Sequence, residues 1–326
     1  WPVRAHADAR RLMAKQGALV LAGLAALLVL PWFASDYIVG VGVSALTFTV
    51  AAASLNLVYG YAGMLSFAQL AFWGIGGYGT ALTVMDAGAS FWTGLAASAA
   101  LNTVLALAVG WPALRLQRDS FVIVTLSFSL LASLLSRDWV ELTRGPLGLP
   151  GLPAPVLFGT RLGSLHASYW LSLAFFTLAL GLLYAIVSSR IGRVLLAIKQ
   201  NEPLALAHGI SPTPWRQFAF AVSAALTGIA GGIQVFYLKI VDPSIFDFYY
   251  LQAWLIIVII GGAGRFWGVV IAGLVMSALP EVLRFSNELR MVLYGVILVV
   301  AVLVMPQGVT GWLRERRIAK LRESLQ

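Results

Sequence analysis

Residues 189–216 read SRIGRVLLAIKQNEPLALAHGISPTPWR, the one long polar interruption in the middle of an otherwise apolar chain. Arg190, Arg193, Lys199 and Arg216 stand against a single acid, Glu202. Two stretches with helical spacing are separated by breakers, which describes a folded element and not a slack linker. The first, about 191–200, stops near Asn201. Asn201 or Glu202 then caps a second, short helix, with Pro203 in the first turn, where a missing N–H costs nothing, and Gly209 placed to end it. Thr213 followed by Pro214 starts a third helix that runs into the apolar residues from Phe218.

Composition sets the surroundings of this element. Of 326 residues, 60% are hydrophobic and only 11% charged, and the mean hydropathy is +0.88. A water-soluble fold of this size does not tolerate such values, so the chain reads as an all-α integral membrane protein. Helices that cross ~30 Å of hydrocarbon need about 20 residues, and apolar runs of that length recur throughout, whereas a barrel would alternate in short segments. With no cysteine, disulfides, thiolate metal sites and a cysteine nucleophile are excluded. The net charge of +9 fits excess Lys and Arg on the cytoplasmic side better than it fits nucleic-acid binding.

Working outward in both directions, spans are expected at 17–34, 39–59, 63–85, 91–111, 120–136, 168–188, 218–238, 251–262, 267–283 and 291–306. The first reads as a retained span, being too long for a signal peptide and lacking a clear cleavage site. About ten transmembrane helices, some short or Gly-broken, place both termini on one side. Residues 1–16 form a cytoplasmic N-terminal segment, 17–306 the transmembrane domain, 137–167 an outer loop, 189–217 a cytoplasmic loop and 307–326 a basic cytoplasmic tail. The outer side then carries Arg137, Arg144, Arg161, Lys239, Arg284 and Arg290, six of the 22 Lys and Arg. The other 16 lie on the cytoplasmic side, which is the bias expected of that orientation.

Two places resist a picture of ten plain rods. Residues 251–262 are too short to cross unaided and lead into Gly261, Gly262, Ala263, Gly264 and Arg265. Residues 59–63 join two apolar runs without a charge. Such breaks are tolerated when buried in protein or lining a wet cavity, and paired breaks point to a transporter site; close packing through small residues is the plainer reading of most glycines. The 137–167 loop, with its GPLGLPGLPAP run, is expected to be extended, as a partner surface, a plug or a connector.

No hydrolytic or redox constellation stands out, and no GxxxxGK[ST] occurs, so ATP is not bound in that manner. GIGGYG at 74–79 lies inside an apolar helix and not after a strand, which is the wrong context for a dinucleotide fingerprint. Asn56, Ser66 and Gln69 flank the 59–63 break, and Thr125, Ser127 and Ser129 share one run. In hydrocarbon these groups bond between helices or line a path for a solute, and without buried charge that path suits an amphiphilic or neutral solute.

These residues resemble the LivM-type permeases of branched-chain amino acid ABC importers. The resemblance spans about 46–312 and is carried by LNLVYGYAGMLSFAQLAFWGIGGYGTAL (55–82), RDSFVIVTLSF (118–128), LTRGPLGLPGLP (142–153), residues 189–210, IIGGAGRFWGVVIAG (259–273) and MPQGVTG (305–311). It implies a multi-pass permease subunit of the bacterial inner membrane without catalysis of its own. The implied partners are a second homologous permease, two cytoplasmic ATPase subunits that use ATP and Mg, and a periplasmic substrate-binding protein; no cofactor is implied for this chain. Residues 189–217 then resemble the ATPase-coupling loop, with Arg193, Asn201, Glu202, Ala205, Gly209 and Ile210 as coupling residues, although Pro203 stands where the importer pattern has alanine. The path residues are expected to be Asn56, Ser66, Gln69, Thr125 and Ser127. Branched-chain amino acids are the implied solutes, with urea and short amides also associated with such permeases. A stand-alone secondary transporter or channel is the alternative; it calls for intramembrane acids, and Glu281 comes nearest to one.

Overall fold

The structure, a computed structural model, describes residues 23–157, 160–282 and 296. Among the described residues, five helices are long and apolar enough to cross a membrane. They are α2 (Asp36–Asn56, prolonged by a π-helical segment Leu57–Tyr61), α4 (Phe91–Ala113), α5 (Arg118–Asp138), α7 (Leu165–Ser188) and α10 (Pro212–Leu238). Between and beside them lie α1 (Gly23–Phe33 among the described residues), α3 (Ala68–Met85), α6 (Val140–Thr143), α8 (Arg190–Gln200), α9 (Glu202–Ala207), α11 (Phe248–Gly261) and α12 (Phe266–Val282). The expected segments 1–16, 291–306 and 307–326, and the start of the first expected span, lie outside the described residues.

The centre of the bundle is α10 crossed against α3, with α2 and α4 on its flanks. Backbones meet there because side chains are missing: a Cβ on Gly76 would overlap the backbone of Gly228, and one on Gly231 would overlap Trp73 O. In lipid, where burying apolar surface drives nothing between helices, such small-residue contact is the main source of packing energy. Around it Phe48, Trp73, Tyr250 and Trp254 meet mostly edge to face, Trp73 and Trp254 at 5.2 Å between ring centroids. Most of α2 and α10 is enclosed, whereas α4, α5 and α7 leave most of their length outside. α3 is deeply buried, yet it falls outside the set of helices apolar enough to span by themselves.

Three expected boundaries move. The second break is longer than 59–63: α2 ends in the π segment, Gly63 takes φ +74°, and the helix expected from 63 starts at Ala68. α10 begins at Pro212, six residues before the expected apolar span and one before the expected start at Thr213, with Ser211 and not Thr213 at the cap position and the prolines at 212 and 214 in the first turn, where they need no N–H donor. α11 has 14 residues, ~21 Å of helix, and so remains short for a bilayer. It is preceded by a 3-10 turn, Pro243–Phe246, with Asp242 capping it through Ser244 N (2.7 Å).

The loop after α5 is not uniformly extended. It contains α6, a 3-10 turn (Gly145–Leu147), and two residues, Leu149–Pro150, paired antiparallel with Ile240–Val241 beyond α10. Leu149 and Leu152 are buried, and the N–H groups of Gly151 and Leu152 both donate to Lys239 O. The loop therefore clamps one end of the bundle, and α8 and α9 occupy the other.

Candidate functional site

The α8–α9 element is built from local signals. Ser189 accepts from Ile191 N (3.1 Å), and the helix it caps buries Gly192, Leu195 and Ile198 while Arg190 and Arg193 stay exposed. Asn201, in extended conformation, accepts from Leu204 N (3.0 Å); Asn201, not Glu202, is thus the cap of α9, with Pro203 in its first turn. At the other end Gly209 takes φ +76°, Gly209 N donates to Leu206 O (2.9 Å) and Ile210 N to Ala205 O (3.0 Å). That pair of bonds is a Schellman motif, which satisfies carbonyls that α9 leaves open. Ala205 is the one buried residue of α9; Leu204 and Leu206 are 54% and 53% exposed.

Glu202 does different work. Both its oxygens accept from Arg216, at 3.0 and 2.8 Å, with the arginine side chain 6% and the glutamate 36% exposed. A bidentate pair of this kind fixes orientation as well as distance and ties α9 to the first turns of α10. The hydrogen bonds from Arg216 hold the Glu202 carboxyl below the usual carboxylate range, against burial, which acts in the opposite sense.

Lys199, which sequence reasoning counted only as a charge, has a long-range partner: its Nζ donates to Gly60 O at 2.6 Å, across 139 positions. Its amine is held below the usual lysine range by burial and by the nearby Arg118. No local pattern announces this contact. The only available sign was a lysine in α8 at the register of the buried face, four residues after Leu195.

The expected path residues are placed as follows. Asn56 Oδ1 accepts from Gly264 N (2.9 Å), linking α2 to the turn between α11 and α12. Gln69 Nε2 donates to Ser223 Oγ (3.0 Å) and to Thr227 Oγ1, and Ser223 Oγ donates to Ser54 O (2.7 Å). Thr125 Oγ1 accepts from Phe67 N (3.1 Å), and Ser129 Oγ donates to Phe67 O (2.7 Å). Ser66 is buried, with no hydrogen-bond partner for its hydroxyl among the described residues. Ser127 lies on the exposed face of α5, away from the others.

These contacts share a logic. At three interruptions of the helical ladder a polar side chain from another element meets the backbone: Lys199 at Gly60, Asn56 at Gly264, Thr125 and Ser129 at Phe67. Backbone at membrane depth must be satisfied inside the protein, so each break calls for such a partner. Gln234 adds a further brace, accepting from Thr47 Oγ1 (2.8 Å) and donating to Ser44 Oγ (3.0 Å). On α5, Phe121, Thr125, Ser129, Ala132 and Ser136 recur at helical spacing and all are buried, whereas Ser127 is exposed.

A helical bundle with Gly-rich breaks patched by side chains, and one folded polar element capped at both ends, defines a polytopic membrane protein. Residues 37–302 match the family model described as branched-chain amino acid transport system / permease component, and the chain belongs to that family. It is 29% identical over 317 residues to the high-affinity branched-chain amino acid transport system permease protein LivM of Salmonella typhimurium, covering 90% of this chain and 75% of that protein. It is 28% identical over 312 residues to LivM of Escherichia coli (87% and 73% covered). To the LivH permease protein of Salmonella typhimurium it is 27% identical over 285 residues (81% and 91% covered). No solved structure matches.

Proposed function

We propose that this chain is one permease subunit of an ATP-driven importer of branched-chain amino acids, contributing half of the translocation path and no chemistry of its own. Its similarity to both LivM and LivH supports pairing with a second, homologous permease. The observation that carries the reading is the α8–α9 element: two short helices capped at Ser189, Asn201 and Gly209 and fastened to α10 through Glu202 and Arg216. A rigid, fastened element at one end of the bundle can receive a push and pass it to the spans; a slack loop cannot.

In this reading the α8–α9 end faces the cytoplasm of a bacterial inner-membrane protein, where two ATPase subunits bind ATP and Mg. The clamped 145–152 loop faces a periplasmic binding protein. About ten spans with both termini cytoplasmic agree with the distribution of Lys and Arg. Arg193, Asn201, Glu202, Ala205, Gly209 and Ile210 form and hold the ATPase-contacting surface, with Leu204 and Leu206 at its tip. In a subunit that supplies half of a path, the lining groups stand on its outer face, so Ser127 is the path candidate, and Asn56, Gln69 and Thr125 hold the helices that shape it.

Uptake into proteoliposomes tests this. With the cognate permease, ATPases and binding protein, labelled leucine should accumulate only when all subunits and ATP are present. Gradient-driven uptake by this chain alone would overturn the reading.

A further inference from the structure

We propose that Lys199 is a positioning residue that makes α8, the π-helical break of α2 and the turn between α11 and α12 move as one joint, so that displacement of the coupling element reaches both chain breaks together. The inference rests on the importer reading above and names a device that reading does not contain.

Three observations carry it. The Lys199 ammonium reaches Gly60 O at 2.6 Å, and Asn56, four residues before Gly60, reaches Gly264 N at 2.9 Å, so α8, α2 and the α11–α12 turn are joined by two consecutive bonds. The joint has no slack. A Cβ on Gly60 would overlap Asn56 Oδ1 and Gly264 N, one on Gly264 would stand 2.8 Å from Gly60 O, and the Lys199 stem fills the place of a side chain at Gly63, with Cγ 2.9 Å from a Cβ there. Finally, the partner of the ammonium is a neutral carbonyl and not a carboxylate. A charge-assisted bond to a carbonyl is strong enough to hold geometry.

The two fastenings of the polar element thus divide the work. Glu202 and Arg216 bind α9 to α10, and Lys199 binds α8 to the breaks.

The test uses the full complex in lipid, and the absence of cysteine from the chain permits Ala197→Cys with Ala263→Cys, both exposed positions, as a spin-labelled pair. With Lys199 present, the distance between α8 and the 262–265 turn should be the same with and without trapped ATP. Lys199→Met should make that distance depend on nucleotide and raise the ATP hydrolysed per leucine imported by ~5-fold or more, the lower end of ordinary coupling factors. Lys199→Arg should restore most of both. A Lys199→Met complex with unchanged distance and unchanged stoichiometry overturns the proposal. If Lys199→Met does not assemble, Asn56→Ala, which opens the same joint from its other bond, is read in the same way. Should the wild-type complex fail to couple uptake to ATP, the importer reading falls, and the effect of Lys199→Met on the label distance by itself decides whether the joint exists.

Discussion

The two ends of the bundle are held by opposite means. At one end the 145–152 segment is fixed by backbone: Leu149–Pro150 pairs with Ile240–Val241, Lys239 O accepts two N–H groups, and Leu149 and Leu152 are sunk into the core. At the other end, among the described residues, no strand pairing holds α8 and α9: besides a narrow buried face (Gly192, Leu195, Ile198 and Ala205), they are fastened by the tips of long charged side chains, Lys199 on Gly60 and Arg216 on Glu202, while much of their own surface stays exposed. Backbone pairing cannot be undone without unfolding the segment. Helices fastened by side chains can be displaced together with the spans they hold, so the first end is built to stay and the second to move as a tethered body.

The largest expected effect breaks the static end. Gly148 has φ +63° and ψ −161°, a conformation open essentially to glycine, and a Cβ there would overlap Val241 O. Gly148→Val should lower stability by about 3 kcal/mol or more, read as a fall in the melting temperature of the detergent-solubilised protein. A melting temperature unchanged by this substitution would contradict the clamp. Next, Arg216→Met removes the fastening of α9. Because Glu202 is partly exposed and regains water, the cost should be only about 1 kcal/mol, but proteolytic cleavage within 201–211 should rise while the 145–152 loop remains protected. Equal cleavage at both sites would show that the ends are not held independently.

Acid sharpens the contrast further. The Glu202 carboxyl is held below its usual range by Arg216, so its contribution is complete above the ordinary glutamate pKa of ~4.3 and is lost as pH falls through the lower folded value. Protection of the Ala205 amide, compared between wild type and Glu202→Gln by hydrogen exchange, should therefore differ at pH 6 and converge only under more acidic conditions. The smallest effect is expected at the exposed tip: Leu206→Ser should shift stability within about 0.5 kcal/mol while weakening assembly with the ATPases, measured by co-purification.

The parts of this arrangement that were legible in the sequence are those written between neighbours. Asn201 and Gly209 each satisfy backbone groups within five residues, so their roles followed from the capping rules, and apolar runs located most of the described spans to within a few residues. Glu202 pairs with Arg216, one of the four cations around it in sequence, and Asn201 takes the cap that either could have filled. What stayed hidden depends on topology. Lys199 meets Gly60 across 139 positions and Asn56 meets Gly264 across 208, and nothing in either neighbourhood names the other. The π segment was unreadable for a related reason: nothing in LVYGY sets it apart from an ordinary helical turn, and the lysine that meets Gly60 O comes from far along the chain. Ser127 was grouped with Thr125 by proximity along the chain, but a helix turns about 200° in two residues and sends them to opposite faces.

The burial of α3 bears on how the protein is made. α3 has Gln69 facing Ser223 and Thr227 of α10, and it is less apolar than the helices able to span alone. At ~5–20 residues per second, α10 leaves the ribosome about eight to thirty seconds after α3. Through that interval α3 sits with its amide and its glycine face uncovered, so the newborn chain needs a temporary neighbour, whether insertion machinery or α2, until α10 arrives to replace it.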